Sequence, residues 1–244
     1  MQTVDFTHFM LAPGDRVLDL GCGEGRHVIS AFVEADVTAV GVDLCFNDLK
    51  TAQQKFADFA EPGNHAKGFG LATANALQLP FADDTFDKII CSEVLEHIPD
   101  YKSVLREIER VLKPGGLFCA SVPRAWPEAI CWKLAPGKDG YADQPGGHVR
   151  IFQEDSLRRE IERLGYRFLG QHYAHGLHSP YWWLKCAFWS RQDDHPMIKA
   201  CAVSTCSAEG RTVSCASVSA DRKTVIPSAI IDFMKSSRHI RATL

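Results

Sequence analysis

The sequence predicts an α/β protein with a doubly wound, mostly parallel sheet. Short apolar stretches alternate with amphipathic ones up to about residue 125, which is the pattern of repeated βαβ units. Residues 37–42 are apolar almost throughout and rich in β-branched side chains, as expected for a strand covered on both faces. A turn containing Gly21, Gly23 and Gly25 joins the first apolar stretch to a helical pattern.

Apolar periodicity gives the order of the elements. Strands are predicted at 16–20, 37–42, 69–74, 88–92 and 117–122, and helices at 25–34, 46–59 and 101–112. A helix at 154–164 and a strand at 166–172 follow. Because βαβ crossovers are right-handed, a ligand is expected at the carboxyl ends of the parallel strands.

Composition limits the classes of function. The chain has 244 residues, of which 45% are hydrophobic and 23% charged, with a formal net charge of −3. No long basic run occurs, so nucleic acid is not expected as a partner. The first ten residues lack the basic cluster of a signal peptide, and a cytoplasmic location is expected. The nine cysteines contain no C-x-x-C pair, which predicts reduced thiols and no zinc knuckle.

The glycine turn is the candidate cofactor loop. Glycine permits a sharp turn and close approach of a ligand, and the helix start beyond it supplies unpaired N–H groups. Arg26 stands where a dinucleotide fingerprint has its third glycine. Asp43 ends the second strand, about 20 residues after Gly23, where a carboxylate can accept hydrogen bonds from ribose hydroxyls. NAD-binding folds share this carboxylate, and the alternative for Asp43 is a helix cap.

Six blocks of the sequence resemble the type 11 family of class I S-adenosylmethionine-dependent methyltransferases. They follow one another in the family's order at 17–25, 41–43, 76–81, 85–87, 92–97 and 112–116. Thr85 is a small departure, since the family more often has serine there. The resemblance implies a Rossmann-like methyltransferase fold with seven strands, the last antiparallel, and S-adenosylmethionine as methyl donor.

The resemblance also implies which residues bind the cofactor. Glycines of the loop would line the methionine and ribose, Asp43 would bind the ribose hydroxyls, and Leu44 would contact the adenine. The complete expected set is Asp19, Gly21, Cys22, Gly23, Asp43, Leu44, Asn75, Ala76, Cys91 and Ser92.

Asn75 is the departure that matters for affinity. The family usually has aspartate at this position, which receives the amino group of the adenine. An asparagine accepts through its carbonyl oxygen without the assistance of a charge, so weaker adenine binding is expected.

The candidate catalytic residues are His97 and His148. His97 would lie at the mouth of the acceptor pocket, either as a general base on an O–H or N–H group or as a helix cap. His148 precedes the last helix together with Arg150, and both can reach an acceptor or serve a structural salt bridge. Tyr141 is a further candidate base.

No metal site is predicted. His172, His175 and His178 recur at every third position, but that spacing does not suit one face of a strand. No cluster of thiolates or carboxylates lies near them in the sequence.

A single methyltransferase domain is expected over residues 1–190. Its common core covers about 14–125, and an irregular segment at about 123–150 is expected to be a lid or acceptor-binding insertion. The aromatic segment at 179–189 is either a buried helix, a wall for an apolar acceptor or an interfacial membrane contact, of which membrane contact is not expected. Residues 191–244 are expected to be an atypical tail, disordered or altered in reading frame, and residues 201–244 to be dispensable for cofactor binding.

The predicted function is transfer of a methyl group from S-adenosylmethionine to an oxygen, nitrogen or carbon of a small apolar or aromatic acceptor. Two alternatives stay open at this point. One is an NAD-type oxidoreductase, and the other is a nucleotide-binding module without catalysis.

Overall fold

Seven strands form one sheet with helices on both faces. The structure is a computed structural model that describes residues 3–61, 63–144, 146–174, 179–191, 195–198 and 228–236. The strands are β1 (Arg16–Leu20), β2 (Thr38–Asp43), β3 (Gly68–Thr73), β4 (Phe86–Ser92), β5 (Leu112–Pro123), β6 (Tyr166–Ala174) and β7 (Ser228–Lys235). The main helices are α1 (Arg26–Glu34), α2 (Phe46–Phe56), α3 (Tyr101–Val111), α4 (Ala125–Leu134), α5 (Glu154–Arg163) and α6 (Ser179–Ala187).

The strand order is β3-β2-β1-β4-β5-β7-β6. The first five strands in this order, β3, β2, β1, β4 and β5, pair in parallel. Strand β7 pairs antiparallel with both β5 and β6. The predicted fold class is therefore confirmed, including one antiparallel strand. Because β1 to β5 are parallel, their carboxyl ends meet at one edge of the sheet, and the residues that follow them form the candidate site.

Alternating side chains of the strands build an apolar core on each face. Leu18 and Leu20 of β1 pack in one cluster with Ile108 of α3, whereas Val17 packs in the other with Val28 of α1. Local periodicity predicted helix α3 because its buried residues recur at helical spacing. They are Val104, Leu105, Ile108 and Val111.

Strand β7 corrects the predicted tail. It lies between β5 and β6, and Phe233 is fully buried with its backbone in register with Phe118 on one side and Phe168 on the other. The boundary at residue 190 is therefore wrong for 228–235, which complete the sheet. Residues 199–227 and 237–244 lie outside the described residues, so the expectation of disorder there stays a prediction.

The segment after β5 is more regular than predicted. Helix α4 occupies Ala125–Leu134, and a 3₁₀ turn covers Tyr141–Asp143. Pro127 made this stretch look irregular, but it lies in the first turn of α4, where proline is tolerated. Helix α6 packs against α4 through Cys131 and Cys186. Only Ser179 and Cys186 of α6 are buried, so this aromatic helix is not the buried element that was one of its expected alternatives.

Candidate functional site

The glycine loop at the end of β1 requires glycine for two different reasons. Gly21 has φ +74°, and a Cβ atom at this position would lie 2.3 Å from Cγ2 of Val94. Gly23 has φ +50°, and no atom of the described residues other than its own chain neighbours lies within 4 Å of its Cβ position. The loop is therefore packed tightly against Val94 at residue 21 and opens toward solvent at residue 23, where a ligand can approach the backbone.

Asp43 joins the end of β2 to this loop. Its Oδ2 accepts a hydrogen bond from the N–H of Gly23 at 2.8 Å, and its Oδ1 accepts one from the N–H of Cys45 at 2.8 Å. The N-cap position of α2 is occupied by Cys45, two residues further on, so the alternative that Asp43 is the N-cap residue is wrong. Each carboxylate oxygen can accept a further hydrogen bond, which is what binding a ribose requires.

Apolar side chains stand exposed at the ends of β2 and β3. Leu44 is 68% exposed and Leu77 is 40% exposed, whereas Ala76 is buried. Asn75 accepts a hydrogen bond from the N–H of Leu77 through Oδ1 at 3.0 Å. The glycine loop, the Asp43 carboxylate and these uncovered leucines fit an adenosyl group, because they combine open backbone, a ribose acceptor and apolar surface.

Three of the predicted cofactor residues turn their side chains into the protein. Asp19 is 1% exposed, and its Oδ2 accepts a hydrogen bond from the N–H of Val28 at 2.9 Å. Burial raises the pKa of Asp19 to about 7. Cys22 and Cys91 are buried, and burial raises the pKa of both thiols. These three side chains hold the loop and the strand ends in place, and the two cysteines can offer a ligand only their backbone.

Hydroxyl groups connect the ends of β4 and β5. Oγ of Ser92 lies 2.8 Å from Oγ of Ser121, which donates a hydrogen bond to Oε1 of Glu93 at 2.8 Å. Glu93 has φ +58°, a left-handed conformation that is uncommon for a residue with a side chain. Such strain is typical of functional sites, and it turns the chain sharply where β4 ends.

The two predicted catalytic histidines meet beside this turn. The rings of His97 and His148 are 4.8 Å apart at their centroids in an edge-to-face arrangement. Nδ1 of His97 lies 3.3 Å from the carbonyl oxygen of Gly147, and Val149 donates its N–H to the carbonyl oxygen of Glu96 at 2.9 Å. These contacts bring together residues that are about fifty positions apart in the chain.

Glu128 of α4 is a site residue that the sequence analysis missed. It is 1% exposed, and its carboxylate accepts hydrogen bonds from Nε1 of Trp132 at 2.8 Å and from the hydroxyl of Tyr141 at 3.2 Å. Oε1 of Glu128 also lies 2.7 Å from Nδ1 of His148. The i, i+4 spacing of Glu128 and Trp132 was the one available signal, and it required recognition of α4.

Glu96 lies close to both histidines and is also buried. It is 1% exposed, and neither of its carboxylate oxygens has a hydrogen-bond partner among the described residues. Oε1 lies 4.0 Å from Nε2 of His97. Burial raises the pKa of Glu96 well above its ordinary value, and the carboxylates of Glu93 and Glu128 raise it further.

Arg150 has a structural role. Its guanidinium donates hydrogen bonds to the carbonyl oxygens of Leu95, Ile98 and Pro99, at 3.1, 2.6 and 2.6 Å. It therefore fixes the turn that carries His97. The interpretation of His97 as the cap of α3 is wrong, because Asp100 takes that position and accepts from the N–H of Ser103.

The strand order, the glycine loop after β1 and the carboxylate after β2 define a Rossmann-like nucleotide-binding α/β protein. The sequence matches the methyltransferase domain family over residues 2–171, and the chain belongs to that family. The family assigns S-adenosylmethionine as the cofactor, which confirms the predicted family and cofactor and gives no support to the NAD-dependent alternative.

Curated relatives include several proteins named as methyltransferases. The chain is 37% identical over 166 residues to a demethylmenaquinone methyltransferase of Symbiobacterium thermophilum, covering 64% of each chain. It is 37% identical over 106 residues to the methyltransferase GfsG of Streptomyces halstedii, covering 43% of this chain and 37% of the relative. In these relatives the chain spans less than two thirds of their length.

Solved structures share the fold at low sequence identity. An S-adenosylmethionine-dependent methyltransferase of Methanosarcina mazei aligns with a TM-score of 0.62 and 16% identity, over 98% of this chain and all of its own. The [4+2]-cyclase SpnF aligns with a TM-score of 0.61 and 20% identity, over 95% of this chain and 78% of its own. Among the described residues, no helix combines the length and apolar character needed to cross a bilayer.

Proposed function

We propose that the chain transfers the methyl group of S-adenosylmethionine to a nucleophilic atom of a small apolar or aromatic acceptor. The observation that carries this proposal is the hydrogen bond between the N–H of Gly23 and Oδ2 of Asp43. This hydrogen bond joins the open glycine loop to the carboxylate that would bind the ribose. The loop and the carboxylate together form one binding surface at the edge of the sheet, called the cradle below. Family membership supports the same chemistry.

The cofactor would lie across the ends of β1, β2 and β3. We expect Asp43 to accept hydrogen bonds from the ribose hydroxyls, and Leu44 to cover one side of the adenine. Asn75 would face the edge of the adenine with its amide. The hydroxyl of Ser92 and the carboxylate of Glu93 would lie toward the methionine end, where the cofactor carries an ammonium group.

For methyl transfer, the protein mainly has to align the methyl donor with the acceptor atom. A sulfonium carries an electrophilic methyl group and leaves as a neutral thioether, so no covalent intermediate with the enzyme is needed. The chain must hold the acceptor atom in line with the departing sulfur and keep water away. Where the acceptor arrives protonated, His97 and His148 are the proposed catalytic residues at the acceptor side of the cradle.

An apolar acceptor is supported by the aromatic side chains of α4, of α6 and of the 3₁₀ turn at Tyr141–Asp143. The rings of Trp126 and Trp183 are 5.6 Å apart, and those of Tyr141 and Trp182 are 6.1 Å apart. Trp126 is 52% exposed, so part of this surface is available to a ligand. The relative named demethylmenaquinone methyltransferase supports an acceptor of this character, and the relative named O-methyltransferase supports an oxygen as the accepting atom.

Calorimetric titration followed by a transfer assay tests the proposal. S-Adenosylmethionine should bind more tightly than NAD, and radiolabelled methyl donor should label a component of a fractionated host metabolite extract. Tighter binding of NAD would refute the proposal. Binding without transfer to any fraction would favour a second candidate, a nucleotide-binding module without catalysis, which Asn75 makes a specific alternative.

A further inference from the structure

We propose that Glu96, His97 and His148 bind a divalent transition-metal ion at the acceptor side of the site. One ligand atom from each of the three residues lies within 4.8 Å of the other two. Ligands about 2.0–2.2 Å from a metal lie roughly 3–4 Å from one another, so small side-chain movements would close the set around an ion. The catalytic role of the ion rests on the proposed function, whereas its binding does not.

The histidines are oriented as metal ligands usually are. Nδ1 of His148 lies 2.7 Å from the Glu128 carboxylate, and Nδ1 of His97 lies 3.3 Å from the carbonyl oxygen of Gly147. Each of these two neighbours offers an acceptor oxygen, so each Nδ1 can donate its N–H there and leave the lone pair of Nε2 to bind an ion. A metal-binding histidine almost always donates its other N–H to a carboxylate or backbone carbonyl in this way.

Glu96 supplies the observation that points to a cation rather than to a hydrogen-bond network. Its side chain is 1% exposed and neither oxygen has a hydrogen-bond partner in the part of the chain that the structure describes, although one oxygen lies 4.0 Å from Nε2 of His97. A buried carboxylate is costly unless it is paired or bound to a metal. Glu128 is equally buried, so the pocket holds two inward carboxyl groups and gains from a positive charge.

Two histidines and one carboxylate leave coordination positions open. Such sets bind ions such as Zn²⁺, Fe²⁺ or Mn²⁺ and admit a further oxygen ligand. An acceptor hydroxyl at the open position would lose its proton to water more readily. The resulting oxygen anion would form the O–C bond as the S–C bond of the donor breaks, giving a methyl ether and the neutral thioether. The acceptor class is therefore one with a hydroxyl that can reach the ion.

The test titrates the full chain with Co²⁺ and follows its visible absorbance, with Zn²⁺ competition read by calorimetry. One ion per chain is expected. Glu96→Gln and His148→Asn should each weaken binding by tenfold or more, and Glu128→Gln by about 10–100-fold, since outer partners have effects of that size. His65→Asn alters an exposed histidine far from the site in sequence and should leave binding unchanged.

Absence of saturable Co²⁺ binding to the wild-type chain would overturn the proposal, as would equal binding by the wild-type, Glu96→Gln and His148→Asn chains. If either substitution unfolds the protein, His97→Asn replaces it, because the side chain of His97 is the most exposed of the three, at 35%. S-Adenosylmethionine binding is measured separately in the presence of EDTA. Loss of that binding in the wild-type chain would refute the proposed function and leave the metal result standing.

Discussion

The N–H of Gly23 donates a hydrogen bond to Oδ2 of Asp43 across 2.8 Å, joining the loop after β1 to the end of β2. The second oxygen of Asp43 accepts from Cys45 at the same distance. Both walls of the cradle are therefore held by one carboxylate, so this side chain fixes the shape of the loop and offers its remaining lone pairs to a ligand.

Replacing Asp43 with alanine should weaken S-adenosylmethionine binding by tenfold or more. Hydrogen bonds to a charged group are each worth about 1.5–3 kcal/mol, and a loss of about 1.4 kcal/mol is a factor of ten in affinity. Isothermal titration calorimetry measures the change. Asp58→Ala removes an exposed aspartate and is the matched control. An unaltered dissociation constant for Asp43→Ala would contradict the ribose role.

Replacing Asn75 with aspartate should strengthen binding of the same cofactor. An aspartate can still accept the hydrogen bond that Asn75 receives from the N–H of Leu77 at 3.0 Å. Its charge would strengthen the hydrogen bond from the adenine amino group, since charge-assisted bonds are roughly twice as strong as neutral ones. Calorimetry should show an affinity gain of several-fold for Asn75→Asp and none for Asn64→Asp, and weaker binding by Asn75→Asp would remove the adenine assignment.

Replacing Glu107 with glutamine should destabilise the fold at neutral pH by about 1–2 kcal/mol. The carboxylate of Glu107 on α3 accepts hydrogen bonds from Nε and Nη2 of Arg110, both at 2.8 Å. It accepts a third from the N–H of Leu79 at 2.7 Å. These bonds attach the loop after β3 to the helix. Urea unfolding at pH 7 measures the change, with the exposed Glu34→Gln as control.

The effect of Glu107 should depend on pH in a defined direction. Its hydrogen bonds with Arg110 hold the pKa of Glu107 below its ordinary value of 4.5. Above pH 4.5 the carboxylate is ionised in the folded and the unfolded chain, and its stabilisation is fully present. As pH falls below 4.5 the unfolded chain takes up the proton first, so the stabilisation is lost. The gap between the wild-type and Glu107→Gln unfolding curves should narrow there, and a gap that widened would show the sign to be wrong.

Replacing Phe233 with alanine should cost about 3–5 kcal/mol of stability, the usual range for a fully buried phenylalanine. Its ring lies 6.1 Å from that of Phe118 and 6.3 Å from that of Tyr166. Phe59→Ala, at a site 47% exposed, should have a much smaller effect. Thermal unfolding followed by circular dichroism makes the comparison.

Strand β7 reverses the expectation that residues 201–244 are dispensable. A chain that ends at residue 200 should fail to unfold cooperatively and should not bind cofactor. A chain that ends at Ser236 retains β7 and is the control. Wild-type binding by the shorter chain would contradict the placement of this strand in the sheet.

The local sequence pattern was enough to predict the elements at the candidate cofactor site. Strand β1 has the predicted bounds, 16–20, and α3 ends one residue earlier than predicted, because both show their apolar spacing within a single element. Parallel pairing places the carboxyl ends of β1 and β2 side by side, so the proximity of Gly23 and Asp43 could be inferred from the sequence alone.

Features that depend on distant contacts could not be inferred in this way. The position of β7 depends on pairing with β5 and β6, and nothing in its eight residues specifies those partners. Glu96 and His148 meet because the N–H of Val149 binds the carbonyl oxygen of Glu96, a contact between separate parts of the chain. Glu128 was hidden because Pro127 masked the helix that carries it.

The place of β7 has a consequence for the order of events on the ribosome. Strand β6 is synthesised before β7 but is separated from β5 by it in the finished sheet. Strand β6 (Tyr166–Ala174) therefore cannot join the sheet until the residues of β7 (Ser228–Lys235) have emerged from the ribosome. Such long-range pairing slows folding, and until it occurs the newly made β5 presents an unpaired edge that is exposed to association with other chains.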